Sequence, residues 1–94
     1  MFEHYIITDH VVDRYRERVN ESCENVKRRI KNDLYFKKIR QIITKGDVKH
    51  VFTLNSKEFI FVKERGRWLL KTIIKRTRQR TEYAIQQRKR AVVA

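Results

Sequence analysis

The chain has no proline, two glycines and a single cysteine, and each scarcity removes a class of protein. Without proline, and with glycine confined to Gly46 and Gly66, no flexible linker divides the sequence, so its 94 residues read as one domain. One cysteine, Cys23, excludes an intramolecular disulfide. Together with the scattered His4, His10 and His50 it offers no zinc-ligand spacing, so no metal and no cofactor are expected. No apolar run approaches the length of a signal-peptide core or a membrane-spanning helix, and no segment joins a wide apolar face to flanking aromatics and a basic edge. The expectation is therefore a cytoplasmic protein that does not engage a membrane. Acidic residues are also scarce: 11 Asp+Glu stand against 24 Lys+Arg, a net charge of +13. Such a field selects a polyanion, and nucleic acid is the default partner, RNA before DNA.

Forty per cent of the residues are hydrophobic, including five Phe, four Tyr and one Trp, enough for a small packed core. The most informative stretch is Ile7 to Val19. At 100° per residue, Val11, Val12, Tyr15 and Val19 share one side, and His10, Arg14, Glu17 and Arg18 the other. This is an amphipathic helix with Thr8 or Asp9 available to cap its first amides. Its polar face carries one imidazole between guanidiniums, which suits either an acid/base group beside phosphate binders or an ordinary basic surface in which Arg14 and Arg18 pair with Asp13, Glu17 or Glu21.

His4 to Ile7 reads as a short edge strand leading into that helix. Ser22 is a candidate cap for a second helix, where Cys23 is a small semi-buried residue or, less simply, a stabilised thiolate. Val26, Ile30 and Leu34 follow helical spacing. Tyr35, Ile39, Ile42 and Ile43 follow it on a different face, which predicts a break near Asn32-Asp33 and a further helix ending at Gly46 as its C′ residue. Beyond Gly46 the pattern turns to strands: Val48–Leu54, Glu58–Val62 and Trp68–Lys75, joined by turns at Asn55-Ser56 and Glu64–Arg67. In the last strand Trp68, Leu70, Thr72 and Ile74 alternate with Leu69, Lys71, Ile73 and Lys75, and Thr72 stands out among bulky neighbours. Trp68 reads as core before it reads as a base-stacking platform, and His50 as a half-buried structural residue. Lys75 to Arg90 holds seven basic residues and one acid, with Tyr83, Ala84 and Ile85 able to start a weak helix. Residues 76–94 are thus expected to form a basic tail or helix that could be deleted without loss of the 1–75 domain.

The opening Thr8-x-His10-x-x-x-Arg14-x-x-x-Arg18 and the closing Leu69-Leu70-Lys71-Thr72-Ile73 resemble the motifs of small bacterial and phage domains of the DUF4258 type. Those domains are similar to the RelE-like, or BECR (barnase–EndoU–colicin–RelE), metal-independent ribonucleases. Val11 stands where they carry Ala, the helical middle is longer, and the arginine-rich tail lies outside the pattern as an added nucleic-acid arm. The resemblance implies an α+β fold: N-terminal helices on a three- to four-stranded antiparallel sheet, with the basic C-terminal extension appended. It implies His10 as an acid/base group, Arg14 and Arg18 as phosphate holders, and Thr72 as a hydroxyl donor to a phosphate oxygen.

Lys71, Lys75, Arg76, Arg78, Arg80, Arg88, Lys89 and Arg90 are the remaining candidate nucleic-acid contacts. A toxin-like endoribonuclease and a non-catalytic nucleic-acid binder both fit. So does a phage-type protein whose cationic face meets an acidic partner, an antitoxin or a host factor. A second general acid or base is not evident, Glu17 and Glu58 being the only candidates.

Overall fold

Thr8 fixes where the first helix begins. In the computed structural model, which describes residues 5–19, 22 and 24–93, its hydroxyl accepts from the Val11 amide (3.3 Å) and donates to the Leu70 carbonyl (3.0 Å). One side chain therefore caps α1 (Asp9–Arg18) and pins it to the sheet. The short β1 (Ile6–Ile7) precedes it. α2 (Val26–Asp33) is capped by Asn25, which accepts from the Arg28 amide, so the cap lies three residues past the expected Ser22. His4, Glu21 and Cys23 lie outside the described residues.

The chain leaves α2 through a single 3-10 turn (Phe36–Lys38) and enters β2 (Ile39–Lys45), followed by β3 (Val48–Thr53), β4 (Lys57–Glu64), β5 (Arg67–Lys75) and α3 (Arg78–Val93). The predicted helix over residues 35–46 is thus a short 3-10 turn followed by a strand. Ile39 pairs with Thr53 and Gln41 with Phe52, so Arg40 is an extra residue, and this bulge gives the isoleucines a spacing that mimics a helix. Gly46 has φ +56° and opens a two-residue hairpin loop. A helix C′ position and this turn ask for the same left-handed backbone. At the β4–β5 loop Arg65 and Gly66 both have positive φ (53° and 79°), the signature of a type I′ turn.

Strands β2 to β5 form an antiparallel meander, and β1 adds to the free edge of β5 in parallel, giving the order β1-β5-β4-β3-β2. The fold is α+β, but the sheet is mixed and five-stranded rather than three- or four-stranded and antiparallel throughout. β5 departs from strict alternation as well. Ile60 pairs with Thr72 and Phe61 with Leu70, leaving Lys71 as a bulge, so Leu70 and Ile73 both enter the same core.

That core lies between α1, α2 and one sheet face. It contains Val11, Tyr15, Val26, Ile30, Leu34, Val51, Phe59, Phe61, Leu70 and Ile73. The opposite face carries α3, through a smaller cluster of Ile43, Phe52, Ala84 and Ile85. The basic C-terminal segment forms a helix: α3 begins after Thr77, whose hydroxyl accepts from the Arg80 amide, and it buries Thr81, Ala84 and Ile85 against the sheet. Tyr83 points outward.

Candidate nucleic-acid interface

His10, Arg14 and Arg18 recur every four residues, so α1 stacks them along one ridge. Arg14 Nε donates to His10 Nε2 (3.3 Å), and its Nη1 lies 4.0 Å from Glu17. At the far end of the ridge Arg18 Nη1 donates to the Ile73 carbonyl (2.9 Å) and to the Thr72 hydroxyl (3.4 Å). The structure thus shows two separate pairs, His10 with Arg14 and Arg18 with Thr72, and it is Arg18 that ties the end of α1 to β5. The Arg18–Thr72 contact joins positions 54 residues apart. It depends on the bulge at Lys71, beyond the two residues of β5 that pair with β1. His10 and Arg18 are exposed, and Arg14 and Thr72 half-buried.

The other candidate contacts divide. Lys75, Arg78, Arg80, Lys89 and Arg90 are exposed, as a phosphate contact requires. Lys71 pairs with Glu64 (3.1 Å). Arg76 and Arg88 instead turn inward to Glu58, Arg76 Nη1 at 2.5 Å and Arg88 Nε at 3.1 Å, so both guanidiniums are engaged within the protein. Trp68 packs against the main core, with Lys49 Nζ 4.4 Å and Lys63 Nζ 5.9 Å from its ring centre. Burial, then the charge of Lys63, holds the Lys49 ammonium below its ordinary range.

Sequence reasoning gave Glu58 no specific support and missed what surrounds it. Glu58 is wholly buried beneath α3, and His50 Nδ1 lies 2.7 Å from its Oε2. Burial alone would raise its carboxyl, but hydrogen bonds from Arg88, Arg76 and His50 outweigh that and hold it below the usual carboxylate range. An ionised carboxylate only accepts, so Nδ1 of His50 carries the proton between them. A carboxylate, an imidazole and two guanidiniums are the parts of a proton-transfer site. Here they are closed on one another, and they tie β3, β4, the connection from β5 to α3 and the fourth turn of α3 into one cluster. The signal in sequence was an acid at the head of an apolar strand, Glu58-Phe59-Ile60-Phe61-Val62. The identity of its partners among 24 cations was not readable.

The neighbouring Lys57 points to the other face. Its Nζ donates to Asp33 Oδ2 (2.8 Å), and Tyr15 and Asn55 complete the carboxylate. Among the described residues no buried side-chain nitrogen or oxygen lacks a partner. No group of three or more His, Cys, Asp or Glu side chains gathers there to hold a metal ion, and no helix is long and apolar enough to cross a membrane. No known protein family, characterised protein or solved structure matches this chain.

Proposed function

We propose that this protein binds RNA through the cationic ridge of α1, in the manner of a RelE-like domain, with metal-independent cleavage as the activity that ridge is to be tested for. The observation that carries the reading is the hold on Arg18. One guanidinium nitrogen is fixed by Thr72 and the Ile73 carbonyl, while the residue as a whole stays exposed. An arginine positioned before the ligand arrives loses less freedom on binding and offers paired N–H groups to a phosphate.

Arg14 and His10 extend the same ridge by two turns. In the cleavage chemistry a base takes the 2′-hydroxyl proton, cations stabilise the pentavalent phosphorane, and an acid protonates the leaving 5′-oxygen. His10 is the proton-transfer group in this reading, and Arg14 and Arg18 hold the phosphate.

A second reading, binding without cleavage, has a specific observation in its favour. The His50–Glu58 pair is closed under α3 and away from the ridge, so it offers His10 no partner base. Incubation of the purified protein with labelled RNA in EDTA, with and without ribosomes, separates the two. Metal-free cleavage that His10→Ala abolishes while binding persists supports the enzyme. Binding with no cleavage in either condition leaves the binding module. Absence of RNA binding, with capture of an acidic protein instead, removes both.

A further inference from the structure

At the opposite edge of the sheet from the ridge, the chain exposes two adjacent aromatic rings. Tyr35 and Phe36 are 45% and 53% accessible, and their ring centroids lie 4.8 Å apart at an interplanar angle of 35°. Their neighbours on both sides turn inward: Leu34 belongs to the main core and Ile39 packs against it. The backbone between them is fixed. The Tyr35 amide donates to the Asn32 carbonyl (3.2 Å), the Lys38 amide to the Tyr35 carbonyl (2.8 Å), and the Leu54 amide to the Lys38 carbonyl (2.8 Å). Two rings are therefore held out on a rigid turn, with exposed Leu54 beside its far end. Stray exposed hydrophobics are ordinary, but two adjoining rings tilted against each other on an ordered backbone are not accounted for by packing.

The charge around the rings identifies what covers them. Lys37 and Lys38 are exposed, and Lys37 Nζ lies 5.9 Å from the centre of the Phe36 ring. No acid occurs between Leu34 and Lys45, and Arg40 is paired with Glu82. A second copy of a chain carrying +13 would be repelled. A duplex hides the faces of its bases in its own stack. An unpaired nucleotide offers what the site lacks, a π face for the rings and a phosphate for the lysines. We infer that Tyr35 and Phe36 form a stacking platform for unpaired bases of single-stranded RNA, with Lys37 and Lys38 holding the adjoining phosphates.

This inference rests on the RNA-binding reading and narrows its substrate to single strands. β2 lies three strand spacings from β5, about 14 Å. A strand that reaches both the platform and Arg18 would pass over the α1–α2 layer, whose outer surface carries exposed Lys27, Arg28, Arg29 and Lys31.

The test is fluorescence anisotropy with a labelled oligouridine of about twelve nucleotides, within the usual footprint of single-strand binders, and with an RNA duplex of equal length. The Tyr35→Ala/Phe36→Ala variant should lose about tenfold or more in affinity for the single strand. Its salt slope, its duplex affinity and its thermal unfolding should be unchanged. Tyr35→Phe and Phe36→Trp should bind within about twofold of the parent, and the new indole should be quenched on binding. Parental affinity in the double alanine variant, or equal loss for single strand and duplex, overturns the platform while the RNA reading stands. A shift from dimer to monomer in sedimentation with RNA affinity intact also overturns it, since the rings would then serve self-association. Failure of the parent protein to bind either RNA removes both readings.

Discussion

The sheet face under α1 and α2 and the face under α3 are closed by different forces. On the first, ten buried hydrophobic residues from two helices, the residue that follows α2 and three strands interlock, and the Lys57–Asp33 pair is buried beside Tyr15. On the second, four suffice, and the centre is a carboxylate bound by an imidazole and two guanidiniums. β4 supplies the charged residue to both, because Lys57 and Glu58 are consecutive in a strand and so point to opposite faces. Apolar burial is indifferent to partner and to pH. The Glu58 cluster depends on both, so α3 is attached more conditionally than the helices it faces across the sheet.

Equivalent cavities on the two faces put this difference to its strongest test. Ile30 is 0% exposed in the larger core, and Ile85 is 2% exposed in the smaller one. Ile30→Ala should cost about 4 kcal/mol and Ile85→Ala about 2 kcal/mol, since a four-member cluster under one helix can collapse around the lost methyls. A domain of this size has roughly 5–15 kcal/mol in all, so the first approaches global unfolding. In denaturant titration the Ile30 variant should lose midpoint in every probe. In hydrogen exchange the Ile85 variant should lose protection first in α3. Equal and global losses would mean that the two faces form one cooperative unit and that the contrast is only geometric.

Glu58→Gln follows in size. Breaking one side of a buried ion cluster costs roughly 3–5 kcal/mol, and the low end applies because Arg76 and Arg88 are near enough to solvent to turn outward. The loss should show as undocking of α3, with exchange protection in α1 retained. Unaltered stability and α3 protection in the Glu58→Gln variant would assign the attachment of α3 to Ala84 and Ile85 alone.

The elements that were legible in sequence are those whose signal is local. The hairpins from β3 to β5 were readable because turn residues with positive φ separate alternating β-branched runs. α1 was readable because its two faces differ in every turn. β2 was not, because the bulge at Arg40 gives Ile39, Ile42 and Ile43 a helical spacing and Gly46 suits either termination. The parallel pairing of β1 also left no trace, since two residues carry no pattern. The ridge of His10, Arg14 and Arg18 was visible from periodicity. The pairing of Arg88 was not legible because its partner, Glu58, is 30 residues away and nothing local distinguishes it from Lys89 or Arg90.

A milder perturbation of the α3 face is acid. The Glu58 carboxyl is held below its ordinary 4.5 in the folded protein, so its contribution is complete at pH above 4.5 and is lost as pH falls through the lower folded value. The urea midpoint of the parent should therefore fall on acidification below pH 4.5 more steeply than that of Glu58→Gln, and α3 amides should lose protection before those of α1. Parallel pH curves for the two proteins would show that Glu58 is not the group that couples α3 to pH.

The smallest effects on stability are expected where the proposed function lies, on the edge of the α1–α2 face. Thr72→Val removes one long hydrogen bond to an exposed arginine, and Arg18→Ala removes an exposed side chain held mainly by a carbonyl, so each should shift stability by under about 1 kcal/mol. Their effects on RNA should differ. Arg18→Ala deletes a phosphate contact, so the slope of log K against log[salt] should flatten by about 0.7 for a single strand. Thr72→Val keeps the charge and loosens only its position. It should lower affinity by no more than a few fold while leaving the slope unchanged, because counterion release counts charges and not hydrogen bonds. If both variants keep the parental slope and affinity, the Arg18–Thr72 contact is a brace between α1 and the bulge in β5, and the phosphate site lies elsewhere on the cationic surface.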